Sequence, residues 1–209
     1  MSKRISCAKS ILCVIVDGSL LSGKRLVNTA YLAAAAGADL IQYRDKSAAA
    51  TEMTERAIKI KKVLKRLGVP LIINDRVEVA LASGASGIHI GQADPDASLV
   101  RKLCPGLILG ISASTLQEAS LAKKSGADYI GIGPVFATPI KPKDRTVSVK
   151  MLKNLSSLGL PLILIGGITR HNVERLLEKG FNKIAVIRSI CMADDPYMAA
   201  KELKDILNI

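Results

Sequence analysis

Short apolar runs alternate along the chain with longer segments in which apolar residues recur at helical spacing. Each apolar run has the length of a buried strand. The runs are ILCVIV from Ile11, DLIQYR from Asp39, PLIIN from Pro70, GIHIG from Gly87, LILGIS from Leu107, YIGIG from Tyr129, PLILIGG from Pro161 and KIAVI from Lys183. Helical segments between them include Thr51–Leu67, Leu116–Ser125, Asn172–Lys179 and Ala193–Leu207. This alternation predicts a series of strand–helix units.

The series predicts a barrel. Strands that are apolar along their whole length are typical of parallel sheets with both faces covered. Eight such units close into a (β/α)8 TIM barrel, so we predict an α/β fold with one TIM-barrel catalytic domain over residues 1–209. Glycines such as Gly37, Gly68 and Gly84 follow the helical segments, where a left-handed C-cap favours glycine. A doubly wound open sheet is the alternative arrangement of the same units.

Composition and the lengths of the apolar runs indicate the domain count and the compartment of the protein. The chain has 209 residues, 49% of them hydrophobic, which suits one domain with an aliphatic core. No apolar run approaches the roughly 20 residues of a membrane span, and the first run ends at Asp17, too early for a signal peptide. We therefore predict a cytoplasmic protein with no membrane partner. The four cysteines show no CxxC spacing, which predicts buried thiols in a reducing compartment.

The net charge of +12 is compatible with attraction to nucleic acid or to phosphorylated metabolites. The basic residues are spread along the helical segments, and the chain has only two Phe, four Tyr and no Trp. Few aromatic rings are therefore available to stack on single-stranded bases. We predict no nucleic-acid partner and expect small phosphorylated ligands.

Polar residues follow the predicted strands where each strand ends. Asn74 and Asp75 come directly after the third strand, and Gln92 and Asp94 come after the fourth. In a barrel the carboxyl ends of all strands lie on one face, which carries the active site. We call this face the mouth. Each carboxylate also has a simpler interpretation, since Asp75 precedes a helix that it could cap and Asp94 precedes a proline in a turn.

Cations accompany the two carboxylates at the mouth. Gln42, Arg44 and Lys46 alternate at the end of the second strand and so share one side of it, while the fifth strand ends at Ser112. Carboxylates among cations indicate a divalent ion that bridges to phosphate oxygens, as Mg²⁺ commonly does. The sequence therefore predicts two phosphorylated substrates, one of them a diphosphate.

A second group of positions is suited to a monophosphate. The segment GGIT after the seventh strand contains Gly166 and Gly167, and the eighth strand ends at Ile187 and Arg188. Loops after these two strands form the usual phosphate site of TIM barrels, where backbone N–H groups bind the anion. The long segment from Gly133 after the sixth strand contains Thr138, Lys141 and Lys143, and we expect a lid or binding loop there.

Neither histidine is assigned to the predicted site. His89 alternates with Ile88 and Ile90, so we predict that its side chain points into the barrel and is hydrogen-bonded there. His171 follows the seventh strand near a helix start and is expected at the surface.

The motifs QYRDK, IINDRVEVA, GIHIGQADP, ILGISAST, ADYIGIGPVFATPIK and GGIT resemble, in order and spacing, those of the thiamine-phosphate synthase family over nearly the whole chain. The resemblance implies a (β/α)8 barrel and a Mg²⁺-dependent transferase. Its reaction joins 4-amino-2-methyl-5-pyrimidinylmethyl diphosphate to hydroxyethylthiazole phosphate and releases pyrophosphate. The implied chemistry is dissociative: pyrophosphate leaves, a pyrimidine-methyl cation forms, and the thiazole nitrogen attacks it.

The resemblance also implies roles for individual residues. Asp75 and Asp94 would bind one Mg²⁺ ion per site, and Lys141, Ser112 and Arg44 would be catalytic. The pyrimidine diphosphate would be bound by Gln42, Tyr43, Arg44, Asp45, Lys46, Asn74, Ser112 and Lys141. The thiazole phosphate would be bound by Thr138, Pro139, Ile140, Gly167, Ile187 and Arg188.

Some positions depart from the family pattern. Ile140 replaces the second threonine of the lid motif Thr-x-Thr-Lys, and the first strand has Cys13 and Val16 where the family usually has Tyr and Thr. Two alternatives stay open: a thiazole tautomerase-like barrel, since that sister family resembles the synthase, and a non-catalytic phosphate-binding regulatory barrel, which Ile140 favours. The sequence also leaves a homo-oligomer open.

Overall fold

The computed structural model describes residues 8–138 and 146–208, and these residues form a closed barrel. Eight parallel strands pair in the order β1-β2-β3-β4-β5-β6-β7-β8, and β8 pairs with β1. The predicted (β/α)8 TIM barrel is confirmed, and the alternative of an open doubly wound sheet is wrong. The assignment of all residues 1–209 to one domain stays a prediction.

The strands match the apolar runs of the sequence closely. They are β1 Ile11–Asp17, β2 Leu40–Arg44, β3 Leu71–Asn74, β4 Gly87–Ile90, β5 Ile108–Ser112, β6 Tyr129–Ile132, β7 Leu162–Ile165 and β8 Lys183–Val186. The helices in the described part of the chain are α1 Gly23–Ala35, α2 Ala50–Lys65, α3 Val77–Ser83, α4 Ala97–Leu103, α5 Leu116–Lys124, α6 Val149–Ser156, α7 Glu174–Leu177, α8 Arg188–Cys191 and α9 Pro196–Leu207.

Helix starts differ from the predicted ones where a side chain fixes the boundary. The last helix was predicted from Ala193 but begins at Pro196, because the Asp195 side chain accepts a hydrogen bond from the Met198 N–H and proline suits the first helical position. The segment predicted from Asn172 is helical only over α7. The Asn172 side chain instead binds the backbone of the preceding turn, accepting from Thr169 N and donating to Gly167 O, each at 2.8 Å.

The strands read as continuous apolar runs because both of their faces are buried. Side chains that point inward form the barrel interior: Ile11, Cys13, Ile15, Leu40, Ile72, Ile108, Tyr129, Ile163 and Ala185. The alternate positions pack outward against the helices in a larger layer. This two-sided burial fixes which residues reach the mouth, since only inward-facing positions at the strand ends do so.

The three described cysteines are buried, as predicted, while the reducing compartment stays a prediction. Cys13, Cys104 and Cys191 are buried free thiols, and burial raises the pKa of Cys13 to about 12. Cys7 lies outside the described residues. Among the helices over residues 8–138 and 146–208, none is long and apolar enough to cross a membrane.

Candidate active site

Asp75 lies at the mouth and has an unusual backbone conformation. It follows β3 directly, and among the described residues it is the only non-glycine residue with a positive φ, at 66°. Its N–H donates to the carbonyl oxygen of His89 on the neighbouring β4 at 2.8 Å. A left-handed conformation at a residue with a side chain is often found at functional sites, where the surrounding structure maintains the strain.

Asp94 lies beside Asp75, and the two carboxyl groups are close enough to share a hydrogen bond. Burial raises the pKa of Asp75 to about 6, and the hydrogen bond and charge of Asp94 add to the increase, while the charges of Lys46 and Arg44 oppose it. A carboxylate pair of this kind is destabilised when both members are ionised, unless a cation neutralises them. The carboxylate oxygens of Asp75 and Asp94 are hard donors, and they suit a divalent cation that prefers oxygen ligands.

The structure separates the two simpler interpretations, Asp75 as a helix cap and Asp94 as a turn residue. The N-cap of α3 is Arg76, whose side chain makes no capping bond, so the interpretation of Asp75 as a helix cap is wrong. Asp94 does act within a turn, because its Oδ2 accepts a hydrogen bond from the Gly91 N–H at 2.6 Å. The turn bond holds the Asp94 carboxyl in place beside Asp75.

The raised pKa of Asp75 predicts a pH-dependent stability of the metal-free protein. A folded-state pKa near 6, above the ordinary 3.8, means that the protonated carboxyl stabilises the fold fully below about pH 4 and that this contribution is lost as the pH rises through 6. Asp75→Asn should remove this dependence and raise the free energy of unfolding at pH 7 by about 1 kcal/mol, a value reduced for the partial exposure of the carboxyl.

The measurement is a series of melting curves without divalent ions between pH 4 and 8. The melting temperature of Asp75→Asn should exceed that of the wild type by roughly 2–4 °C at pH 7, and the difference should shrink toward pH 4. Equal differences at both pH values would contradict the raised pKa.

Cations and amides flank the carboxylate pair. Gln42 lies inside the barrel and donates through Nε2 to Asn74 Oδ1 at 2.8 Å, so the amide group of Asn74 is oriented at the end of β3. Arg44 is partly exposed and forms an ion pair with Asp17. Lys46 is exposed, and its charge acts on Asp75. The structure therefore places these predicted residues around the carboxylates.

Asp17 was missed by the sequence interpretation. It ends β1 and is only 4% exposed. One carboxylate oxygen pairs with Arg44, and the other accepts hydrogen bonds from Ser19, from its N–H at 2.9 Å and its hydroxyl at 2.6 Å. The signal was available, because Asp17 is a charged residue at the end of a buried strand, as Arg44 and Asp75 are.

The Asp17 carboxylate is positioned to hold the guanidinium of Arg44 at the mouth. In Asp17→Asn, Ser19 can still donate to the remaining oxygen, but an NH₂ group faces Arg44 and the ion pair is lost. Hydrogen bonds between charged groups are worth about 1.5–3 kcal/mol. We therefore expect kcat/KM for a diphosphate substrate to fall at least about tenfold, with little change in KM for the second substrate.

Steady-state kinetics with each substrate varied in turn checks this expectation. Asp39→Asn is the matched control, because Asp39 forms an ion pair with Lys204 at 2.7 Å and precedes β2 at the opposite end of the barrel. Equal kinetic constants for Asp17→Asn and Asp39→Asn would rule out a role of Asp17 at the mouth.

Two predicted ligands of the diphosphate point elsewhere. Tyr43 is fully buried in the layer between strands and helices, because it alternates with the inward-facing Gln42 and Arg44. Asp45 is 4% exposed. Its carboxylate accepts hydrogen bonds from the N–H groups of Ser47, Ala48 and the side chain of Arg56. The expectation that Tyr43 and Asp45 contact a ligand is therefore corrected, since both side chains serve the β2–α2 connection.

Ser112 ends β5 and is half-buried. Its backbone oxygen accepts a hydrogen bond from Gln92 Nε2 at 2.5 Å, and its hydroxyl lies 2.9 Å from His89 Nε2. The other ring nitrogen of His89 lies 3.0 Å from the Tyr129 hydroxyl. The prediction that His89 points into the barrel and is hydrogen-bonded there is confirmed, and burial lowers its pKa to about 4.

The loops after β6 and β7 pack against each other. Gly166 and Gly167 have positive φ values of 104° and 67°. A Cβ on Gly166 would lie 2.5 Å from Pro134 Cβ, and one on Gly167 would lie 2.6 Å from the Ala137 carbonyl oxygen. Only glycine therefore allows the β6 loop, which continues to Thr138, to lie over the end of β7.

The end of β8 adjoins this pair of glycines. Ile187 caps the short helix α8 and Arg188 is its first residue, so both lie where backbone N–H groups have no partner within a helix. The Ser189 hydroxyl donates to the Ile168 carbonyl oxygen at 2.5 Å, which joins the ends of β7 and β8. Gly167, Ile187 and Arg188 are thus brought to one side of the mouth. Pro139, Ile140, Lys141 and Lys143 lie outside the described residues.

His171 lies at the surface, as predicted, and contacts Arg170 at 3.2 Å. In residues 8–138 and 146–208 no group of three or more His, Cys, Asp or Glu side chains gathers around one point. In this part of the chain Asp75 and Asp94 are thus a pair of carboxylates with no third such side chain beside them.

Comparisons with known proteins place the chain in a family. A family model described as thiamine monophosphate synthase matches residues 12–190. A thiamine-phosphate synthase of Coprothermobacter proteolyticus is 43% identical over 196 residues, which cover 93% of each chain. A thiamine-phosphate synthase of Chloroflexus aurantiacus is 38% identical over 198 residues, 94% of this chain and 92% of the relative.

Solved structures share the fold. A thiamine phosphate pyrophosphorylase from Pyrococcus furiosus superposes with a TM-score of 0.86 at 34% identity and covers 96% of both chains. A 3-hexulose-6-phosphate synthase superposes with a TM-score of 0.68 at 18% identity, over 94% of this chain and 99% of the other. At that identity the second likeness shows the barrel alone.

Proposed function

This chain belongs to the thiamine monophosphate synthase family, and from that premise we propose that it is a thiamine-phosphate synthase. In this reaction 4-amino-2-methyl-5-pyrimidinylmethyl diphosphate and hydroxyethylthiazole phosphate combine to give thiamine phosphate and pyrophosphate. The observation that carries the proposal is the close pair of Asp75 and Asp94 with Arg44 and Asn74 around it at one end of the barrel. A pair of carboxylates beside cations is what a diphosphate bound with a metal ion requires.

The metal that fits these residues is Mg²⁺, one ion per site, bound by Asp75 and Asp94. The closeness of the two carboxylates supports this assignment, since their mutual repulsion favours a divalent cation between them. When bound, Mg²⁺ supplies positive charge that stabilises a departing pyrophosphate.

The diphosphate is bound by N–H and O–H donors on the same side of the mouth. Arg44, held by Asp17, and Lys46 provide positive charge, while Asn74 and Ser112 provide neutral donors. Lys141, which the family resemblance places with them, lies outside the described residues and belongs to this proposal on sequence grounds. Donors fixed in advance cost no reorganisation when negative charge develops on the leaving group.

The reaction needs charge stabilisation more than a base. The C–O bond between the pyrimidine methylene and the diphosphate breaks, and its electron pair leaves with pyrophosphate. The lone pair of the thiazole nitrogen then forms the new C–N bond to the methylene cation. No nucleophilic side chain takes part, and the cationic residues around Asp75 and Asp94 suit this course.

The second phosphate has its own side of the mouth. We assign the thiazole phosphate to the backbone N–H groups of Gly167, Ile187 and Arg188, with Thr138 from the adjacent loop. The packing of Gly166 and Gly167 under that loop supports this assignment. Pro139 and Ile140 belong to it through the family motif only. A cytoplasmic location and a homo-oligomeric state stay predictions.

The test is a coupling assay with both substrates and Mg²⁺, in which thiamine phosphate and pyrophosphate should form in equal amounts. Omitting either substrate or the metal should abolish both products. Isomerisation of a thiazole phosphate without coupling would instead indicate a tautomerase, and binding without any reaction would indicate a regulatory barrel. The relatives named above are synthases, and neither alternative receives support from them.

A further inference from the structure

We infer that Tyr129 and His89 are positioning residues that fix the proton of Ser112, so that the Ser112 hydroxyl donates its hydrogen bond into the mouth, toward an anionic ligand. The inference deepens the proposed function, because the expected ligand is the diphosphate of the pyrimidine substrate. Tyr129 and His89 act on the ligand through Ser112.

The three side chains form a chain of hydrogen bonds across three adjacent strands. Tyr129 lies on β6 and is 2% exposed, His89 lies on β4, and Ser112 ends β5 between them. The Tyr129 hydroxyl is 3.0 Å from His89 Nδ1, and His89 Nε2 is 2.9 Å from Ser112 Oγ. This series of hydrogen bonds therefore runs from the barrel interior to the mouth.

The direction of the protons follows from the buried tyrosine. A buried O–H group without an acceptor carries a substantial free-energy cost. Within the described part of the chain, His89 Nδ1 is the one hydrogen-bonding partner of the Tyr129 hydroxyl. Tyr129 must then donate and Nδ1 must accept. This excludes both a proton on Nδ1 and a doubly protonated ring, because each would leave the tyrosine hydrogen without an acceptor.

The ring proton of His89 consequently sits on Nε2, which donates to Ser112 Oγ. A hydroxyl has one hydrogen and two lone pairs, so a serine that accepts from Nε2 keeps its own hydrogen for another acceptor. Among the described residues His89 is the only hydrogen-bonding partner of that hydroxyl. Ser112 ends its strand at the mouth, so its hydrogen is available there. In the opposite tautomer Ser112 would donate to Nε2 and be lost as a donor to the ligand.

Two glycines make this arrangement rigid. A Cβ on Gly110 would lie 2.1 Å from Tyr129 Cζ and 2.5 Å from His89 Nδ1. A Cβ on Gly131 would lie 2.8 Å from His89 Cε1. The rings therefore occupy the space that side chains at these two positions would otherwise fill, and they have little freedom to reorient.

The first test measures the tautomer directly in the resting protein. Nitrogen-15 NMR of labelled protein should show His89 protonated on Nε2 and bare on Nδ1. In Tyr129→Phe, which keeps the ring but removes the donor, this pattern should change to a mixture of forms. A wild-type ring protonated on Nδ1 would overturn the inference, as would a pattern that Tyr129→Phe leaves unaltered.

The second test measures binding of inorganic pyrophosphate in the presence of Mg²⁺ by calorimetry. Ser112→Ala should weaken binding at least about tenfold, as expected for a lost bond to a charged group, and Tyr129→Phe should weaken it severalfold. In the Ser112→Ala background, Tyr129→Phe should have no further effect, because its influence passes through the serine. Additive losses would show a merely structural role and overturn the inference. Tyr31→Phe, at an exposed tyrosine, is the matched control.

These tests separate this inference from the proposed function. The tautomer and pyrophosphate binding are measured without turnover. If the coupling assay gives no thiamine phosphate but both tests succeed, the synthase proposal fails and the inference stands. If coupling proceeds while the tautomer is reversed, the inference fails and the synthase proposal stands.

Discussion

Replacing Asp75 or Asp94 by asparagine is expected to lower turnover at least about 10²-fold, the scale of losing one preorganised electrostatic group. Each change removes one anionic ligand from the carboxylate pair while keeping a side chain of similar size. The Mg²⁺ concentration needed for half-maximal rate should rise in the same variants. The measurement is pyrophosphate release at saturating substrates over a range of Mg²⁺ concentrations.

The stability of Asp75→Asn identifies the cause of its lost activity. Asp75→Asn should gain stability at pH 7 although it loses activity, because the strained pair of carboxylates is relieved. A helix cap would behave in the opposite way, losing stability and keeping activity. Glu55→Gln on the exposed side of α2 is the control for removing one negative charge. Unchanged turnover and an unchanged Mg²⁺ titration in both aspartate variants would refute the metal site.

Gly110→Ala is expected to have the largest effect on stability. Gly110 lies inside the barrel on β5, and an added Cβ would overlap the Tyr129 ring at 2.1 Å. The ring is buried among other interior side chains and cannot move aside without breaking its bond to His89. Overpacking and a broken buried hydrogen bond together should cost about 3 kcal/mol or more, which lowers the melting temperature by roughly 10 °C.

Gly106→Ala provides the matched control. Gly106 precedes the same strand, and an added Cβ there would meet nothing within 4 Å. Thermal melting of the two variants under identical conditions measures the difference. The control should melt within a few degrees of the wild type, and a similar melting temperature for Gly110→Ala would contradict the packing around Tyr129.

The identity of the mouth residues could be predicted from the sequence because of where they occur. Gln42, Arg44, Asn74, Asp75 and Ser112 all follow apolar runs, and a barrel brings every such strand end to the same face. Gly166 and Gly167 after β7 and Ile187 and Arg188 after β8 were predicted at this face by the same reasoning, and their role in phosphate binding stays a prediction. This reasoning needed the order of strands along the chain and no knowledge of their contacts.

Tyr43 and Asp45 show why the same reasoning fails for individual side chains. Side chains alternate along a strand, so residues that follow each other in sequence face opposite sides of the sheet. In β2 one side carries Gln42 and Arg44 and the other carries Ile41 and Tyr43, but a match to a family motif lists all these neighbours together without separating the two sides. The family motif contains these residues beside Arg44, yet their side chains pack toward the helices.

The position of Asp17 at a strand end is visible in the sequence, but the partners of Asp17 and Tyr129 are not, for a related reason. Asp17 acts on Arg44 across 27 positions of the chain, and Tyr129 acts on His89 across 40. Such contacts depend on the register of neighbouring strands, which Asp17↔Arg44 and Asn74↔His89 illustrate. Register follows from the closure of the whole barrel.

The sequence by itself therefore determined the barrel and the face that carries the site, because apolar periodicity dictates which segments are buried and the order of strands dictates where their ends meet. The tertiary structure decided which side chains face the interior, which carboxylates meet as a pair, and which hydroxyls lie beside His89. Those features depend on distances of about 3 Å between residues far apart in the chain, and only the packed barrel sets such distances.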